Sequence, residues 1–249
     1  MEKYIIKGET PLIVYEKINQ NGEHVLLKGY THRIIKKTNI NNIEIAKEDL
    51  VEKEIKLSNR YLSLNNNIRN NKVLFGTILH IDGDKDYLES CLSFYKKMNI
   101  YTWGIYIKEK EIKEKVINIL EEITPDIIVI TGHDAFNGKD KKDICNYENS
   151  KTYIDIVRKI RTKYSKEELV VIVGACSSHY EALIASGANF ASSPGRINIH
   201  TYDPAVVACK VATTSCNKVV DYDSIIKHII DGKKAIGGIE TKGKMRIIY

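Results

Sequence analysis

The 249-residue chain has no run of 18 consecutive apolar residues, and its first residues, Met1-Glu-Lys-Tyr-Ile-Ile-Lys-Gly8, hold no secretory hydrophobic segment. Neither a membrane span nor export is expected, and the sequence reads as a protein that stays in the cytoplasm of the cell that makes it. Cysteine is sparse too: Cys91, Cys145, Cys176, Cys209 and Cys216 are an odd number and form no Cys-x-x-Cys pair. That pattern excludes a disulfide framework and a zinc knuckle, and it leaves reduced thiols as the default. Cys91, Cys209 and Cys216 fall in or near helical patterns and read as packing. A dense stripe of one charge is also missing. Lys and Arg number 38 against 32 Asp and Glu, a net charge of +6, and residues 1–72 hold 13 basic and 9 acidic side chains. So thin a surplus argues against a nucleic-acid partner. What is present is a composition 43% hydrophobic and 28% charged, able to bury a core, at a length that fits one large domain plus a small one.

Two stretches organise the chain: Asp126-Ile-Ile-Val-Ile-Thr-Gly-His-Asp134 and Leu169-Val-Val-Ile-Val-Gly-Ala-Cys-Ser-Ser-His179. Each is a continuous apolar run of strand length, ending in a small residue and then a reactive one. A buried parallel strand delivers a side chain to the carboxyl edge of a sheet in this way. His133 and Cys176 are therefore the expected chemical pair, because a thiolate attacks acyl carbon and a neighbouring imidazole takes its proton. The 43 residues from one to the other leave room for a single crossover helix. The Ser-Ser-His that follows Cys176 opens a helix whose N-terminal donors would lower the thiol pKa. His179 competes with His133 for the role of base.

Taken in order, residues 1–55 hold four short β-type runs with Asn-rich turns, a small barrel or meander. Residues 56–72 are polar and Asn-rich and read as a linker. From residue 73 to 249, strands alternate with helices, which implies an α/β domain with a parallel sheet covered by helices on both faces. A short helix is expected over Ser178 to Ser186, a last helix carrying Ile225 to Ile230, and a terminal hairpin formed by Ala235 to Ile239 and Met245 to Ile248. The Lys- and Asp-rich loop from Phe136 to Asn149 reads as a mobile rim of the cleft. His80-Ile-Asp-Gly-Asp84 ends the first strand of this region. Asp82 and Asp84 there suit either a Mg²⁺-binding, receiver-like or phosphate-handling site, or a plain turn and helix cap.

An apolar run ending in His and another ending in Ala-Cys resemble the two catalytic blocks of the caspase and clostripain group of cysteine peptidases. With His80-Ile-Asp-Gly-Asp84, Thr131-Gly-His-Asp134, Asn149-Ser-Lys151, Gly174-Ala-Cys-Ser-Ser-His-Tyr-Glu-Ala-Leu183 and Gly187-Ala-Asn-Phe-Ala-Ser-Ser-Pro194 added, the chain closely resembles the YabG family of endospore-forming bacteria over residues 73 to 215. That resemblance implies a caspase-like three-layer fold and a cysteine endopeptidase of sporulation, with Cys176 as nucleophile and His133 as base. Gly132, Asp134, Ala135, Ala175 and His179 would supply oxyanion donors or support the pair. The implied substrates are spore coat and spore-associated proteins cut after basic residues, with Asp140, Glu181 or Asp203 as candidates to receive the basic side chain. No metal or cofactor is implied, and the implied place of work is the sporulating cell or the developing spore coat.

Overall fold

The structure is a computed structural model and describes residues 2–64 and 72–249. Five N-terminal strands, β1 (Lys3–Ile6), β2 (Tyr15–Asn21), β3 (His24–Gly29), β4 (Ile35–Asn39) and β5 (Ile43–Ile45), form an antiparallel sheet in the order β4-β3-β2-β1-β5. Asn21 pairs with His24 across the turn, where Gly22 takes a left-handed φ of 58°, as a two-residue hairpin loop requires. Ile13, Tyr15, Val25, Leu27 and Ile43 fill one face. Among the described residues β4 and β5 do not pair; β5 crosses to the far side of the sheet and pairs with β1, so the strand order is not that of a simple meander.

The next element departs from expectation. Residues 56–62 continue a helix, α1 (Glu48–Leu62), while 65–71 of the expected linker lie outside the described residues. Polar residues on its inward face hid the helix from an apolar count. Glu54 accepts from the Thr31 hydroxyl, Ser58 lies 3.0 Å from Nε2 of His200, and the buried Tyr61 donates to Asp203. These groups share a face at helical spacing.

The rest of the chain alternates as the periodicity indicates: β6 (Val73–Leu74), β7 (Ile78–Asp82), α2 (Lys85–Lys97), β8 (Thr102–Tyr106), α3 (Glu109–Ile123), β9 (Ile127–Thr131), α4 (Ser150–Arg161), β10 (Val170–Val173), α5 (Tyr180–Ala185), β11 (Phe190–Ser192), α6 (Asp203–Thr213), α7 (Tyr222–Ile226), β12 (Ile236–Gly238) and β13 (Arg246–Ile247). Six strands form one sheet in the order β12-β11-β10-β9-β7-β8. Strands β11, β10, β9, β7 and β8 run parallel, but β12 is antiparallel to β11, so the sheet is mixed rather than purely parallel.

The expected terminal hairpin is absent for the same reason. β12 joins the main sheet and β13 pairs with β6 instead. Gly237 and Gly238 permit it: a Cβ at either would stand 2.5 Å from the Tyr180 hydroxyl or 2.3 Å from the Phe190 ring. The two glycines fall within the first strand of the expected hairpin, and the fold uses them for close approach to these rings. The last helix is also shorter than expected, closing at Ile226.

Side chains alternate across the sheet and are buried on both faces. Ile78, Ile127, Val129, Val170 and Ile172 meet α2 and α6 on one side, while Leu79, Ile81, Ile128, Ile130, Val171 and Val173 meet α3, α4 and α5 on the other. The N-terminal sheet docks near the carboxyl edge: Arg33 N–H donates to Ile199 O at 3.3 Å, Thr201 N–H to Thr31 O at 3.0 Å, and His32 bridges His200.

Candidate active site

Strands β9 and β10 pair with Ile130 opposite Val173. His133 and Cys176 each lie three residues beyond that pair, so the register brings both to one edge of the sheet. The side chains then part. His133 is 20% exposed and lines a cavity of about 740 Å³ bounded by residues that include Lys36, Glu109, Asn149, Ser177 and Asn198. Its N–H donates to Oε1 of Glu109 at 2.8 Å, its Nδ1 lies 3.4 Å from the same oxygen, and its Nε2 lies 3.7 Å from Oδ2 of Asp84. Nε2 is buried and has no hydrogen-bond partner among the described residues. Burial works against a charged Glu109, but its hydrogen bonds to His133 and to backbone hold the carboxyl below the ordinary glutamate range.

Cys176 is 1% exposed, inside the core on the α6 side of the sheet. Its Sγ accepts from the Ile199 N–H at 3.3 Å, and burial pushes the thiol up to about 12. Among the described residues no hydrogen bond joins this sulfur to His133. The segment 196–199 closes over it: Ser177, in a left-handed conformation (φ 54°), donates its N–H to Ile197 O at 2.9 Å and its hydroxyl to Arg196 O at 3.3 Å. Ser177 and Asn198 line both the His133 cavity and a second one of about 600 Å³ that reaches Glu54 and Asp231. The thiol thus sits protonated beneath a partition between two cavities.

The neighbouring residues mostly build the loops. Asp134 is buried and accepts from the N–H groups of Ala135 (2.9 Å) and Asn149 (2.7 Å) and from the hydroxyls of Ser150 and Ser178, the latter at 2.9 Å. Ala175 donates its N–H to Ser178 Oγ at 3.0 Å. Gly132 leaves space for Glu109 and Tyr153, whose atoms would stand 2.4 and 2.7 Å from a Cβ there. His179 caps α5, accepting from Ala182 N–H at 3.4 Å. Its Nε2 lies 3.3 Å from Lys142 O, and its ring packs on Tyr147 at 4.9 Å. Together with the bond from Tyr147 hydroxyl to Lys141 O at 2.9 Å, these contacts pin the loop after Phe136 that the sequence presents as a mobile rim.

Asp82 and Asp84 are engaged by cations of the N-terminal sheet. Asp82 is fully buried against Arg33 and also accepts from Thr131 Oγ1 at 2.8 Å and Asp84 N–H at 2.9 Å. Burial alone would raise its pKa, but Arg33 and His80 outweigh that and hold the carboxyl well below its usual range. His80 is buried between Thr131 Oγ1 (2.8 Å) and the Tyr95 hydroxyl (3.0 Å). Asp84 caps α2 by accepting from the N–H groups of Asp86 (3.0 Å) and Tyr87 (3.2 Å), and it also pairs with Lys28 at 2.6 Å. The pair therefore serves a turn, a cap and the docking of the N-terminal sheet. Among the described residues no group of three or more His, Cys, Asp and Glu is placed to hold a metal ion.

Asp140, Glu181 and Asp203, the expected receivers of a basic side chain, all lie off the lining of the His133 cavity. Asp140 accepts from the Lys142 N–H at 2.9 Å in its own loop, and Glu181 pairs with Arg196. Asp203 is 1% exposed under Tyr61, and burial pushes its carboxyl up to about 7. A carboxyl raised above its unfolded value contributes stability that is present at low pH and lost as the pH rises through about 7. The advantage of the wild type over Asp203→Asn should therefore shrink between pH 4 and pH 8, by on the order of 4 kcal/mol. Urea unfolding of both proteins across that range checks this, and a pH-independent difference would contradict it.

Glu109 carries no sequence signal of its own beyond an acidic residue in the first turn of a helix. Only the convergence of three chain segments reveals its place beside His133.

The sequence profile of the YabG peptidase U57 family matches residues 12–249, which takes in β2 to β5 of the N-terminal sheet and the whole mixed sheet. The chain belongs to the YabG peptidase family. A curated relative, the sporulation-specific protease YabG of Bacillus subtilis (strain 168), is 41% identical over 176 residues, covering 69% of this chain and 60% of that protein. The YabG match begins at residue 12, well before the stretch from residue 73 where the sequence resemblance is clearest. Strand β3, which carries Lys28, and the β3–β4 loop, which carries Arg33 toward the carboxyl edge, are thus part of the YabG unit. Among the described residues no helix is long and apolar enough to cross a membrane.

Proposed function

We propose that the chain is a cysteine endopeptidase of sporulation that acts through Cys176 and His133. The observation that carries this reading is the register of β9 and β10, which puts an imidazole and a thiol equally far past one strand pair in a chain of the YabG family. His133 would take the thiol proton, and the sulfur would attack the peptide carbon. The imidazole would then return the proton to the leaving amine, and water would release the acyl group.

Oxyanion donors would be the N–H of Cys176 and that of Asp134, since the N–H groups of His133 and Ala135 are already given to Glu109 and Asp134. On this reading the structure is the closed form. Segment 196–199 must lift from Cys176 before substrate reaches the sulfur, and the same movement would bring the thiol nearer neutral behaviour by admitting water.

The caspase-like arrangement, the choice of spore coat and spore-associated proteins, and cleavage after basic residues rest on the sequence resemblance. For a basic side chain, the candidate carboxylates on the cavity wall are Glu148 and Glu111, the latter already paired with Lys115 at 2.6 Å, and they replace Asp140, Glu181 and Asp203 as receivers. The place of action would be the sporulating cell or the developing coat.

The test is timed alkylation by iodoacetamide during casein hydrolysis, with each cysteine followed by mass spectrometry. Cys145 and Cys216 are exposed and should react first without loss of rate, while the loss of activity should track the slower reaction of buried Cys176. Full activity in protein alkylated at Cys176 would overturn the reading.

A further inference from the structure

Glu109 meets His133 in a way that the chemistry above leaves unused. Its side chain is 12% exposed, and one oxygen, Oε1, lies 2.8 Å from the His133 backbone nitrogen and 3.4 Å from Nδ1 of the ring. Space for that carboxylate is made by two glycines. A Cβ at Gly83 would stand 2.2 Å from Oε1 of Glu109, and a Cβ at Gly132 would stand 2.4 Å from the same atom. Neither glycine has a left-handed φ, so backbone conformation does not explain why both strand ends lack a side chain. The gap they leave is the slot that Glu109 fills from the start of α3.

The opposite side of the ring differs. Asp84 Oδ2 is 3.7 Å from Nε2, but this carboxylate is already neutralised by Lys28 and used as the cap of α2. Nε2 consequently has no hydrogen-bond partner among the described residues.

We propose that Glu109 is the positioning residue of His133, accepting the Nδ1 proton and so presenting an unprotonated Nε2 as the proton acceptor. This rests on the reading of His133 as the base. Glu109 gains and loses no proton in the cycle. The thiol proton moves to Nε2, the imidazolium is held against the Glu109 carboxylate, and the Nε2 proton leaves with the amine. Glu109 also fixes the ring and its backbone at once, since one oxygen serves both.

The experiment measures kcat, KM and the pH profile of kcat/KM on one short basic peptide for wild type, Glu109→Gln, Glu109→Asp and His133→Ala, with thermal unfolding of each as a folding control. Glu109→Gln should lower kcat about 10- to 100-fold with KM little changed. Its acidic limb should move to lower pH, because the imidazolium loses an adjacent negative charge. The other charged groups around the ring, Asp84 with Lys28, and Lys108 on the Gly83 carbonyl, are the same in every variant. Glu109→Asp keeps the charge and should recover a large part of the lost kcat. It also serves as the informative variant if the glutamine protein does not fold, since its acidic limb should stay near that of the wild type.

Normal kcat and an unshifted limb in Glu109→Gln, beside an inactive His133→Ala, would overturn the positioning role alone. A loss confined to KM would do the same. Wild-type turnover in His133→Ala would instead overturn the dyad on which the inference rests.

Discussion

Cys176→Ala is expected to abolish peptide cleavage and to leave the fold standing. The side chain sits in the core against Ile199, so removing its sulfur opens a void of one atom, a loss of about 1 kcal/mol. Chemically the loss is much larger. Without a nucleophile the only remaining assistance is binding and oxyanion stabilisation, and removal of a peptidase nucleophile costs on the order of 10⁶-fold in kcat where it has been measured. The burial of the thiol makes this a sharp test, because an inert core cysteine and a closed nucleophile look alike at rest and differ only in turnover. Ser177 supplies the comparison: it lines the His133 cavity, its hydroxyl donates to Arg196 O at 3.3 Å, and its backbone is held in the left-handed region. Single-turnover cleavage should vanish in Cys176→Ala and persist in Ser177→Ala, and the reverse pattern would move the nucleophile one residue along the chain.

His133→Ala should lower kcat by at least ~100-fold, the low end of what a positioned acid-base group contributes, whereas His179→Ala should keep substantial turnover. The structure gives the two rings different surroundings. His133 opens onto the large cavity, is held by carboxylates on two sides, and keeps Nε2 free of partners among the described residues. His179 uses Nδ1 to cap α5 and Nε2 to meet Lys142 O, and its ring packs at a tilt against Tyr147. Its replacement removes a helix cap, a cost of about 1 kcal/mol, and loosens the loop after Phe136 without taking away a proton acceptor.

The sequence carries the central strands plainly, because β9 and β10 are unbroken apolar runs that no surface element would contain. Helices α2, α3 and α4 show their apolar stripe equally well. What it conceals depends on contacts between distant segments. Helix α1 turns the half-buried Glu54 and Ser58 inward alongside the buried Tyr61, so its inward face looks polar until Thr31, His200 and Asp203 are found opposite. Strand β12 pairs with β11 rather than with the last strand, and its two glycines admit the rings of Tyr180 and Phe190, contacts that local pattern does not show.

At the site, Asp140, Glu181 and Asp203 are equivalent as letters. Only the fold shows that one caps a loop turn, one pairs with Arg196 and one is buried beneath Tyr61. Glu109 and the closure of residues 196–199 over Cys176 lie further still from local pattern, since each joins segments that are neighbours in space alone. The role of Arg33 belongs with these. A guanidinium from the N-terminal sheet is fully buried against Asp82, and an uncompensated charge left by removing either partner would cost about 3–5 kcal/mol.

The proposed pairing of Cys176 with His133 is tested most directly by kcat for purified, folded His133→Ala and His179→Ala on one short basic peptide, with Cys176→Ala as the zero. The account predicts a fall of at least ~100-fold for His133→Ala and a rate close to wild type for His179→Ala. A large loss in His179→Ala with a near-normal rate in His133→Ala would contradict it.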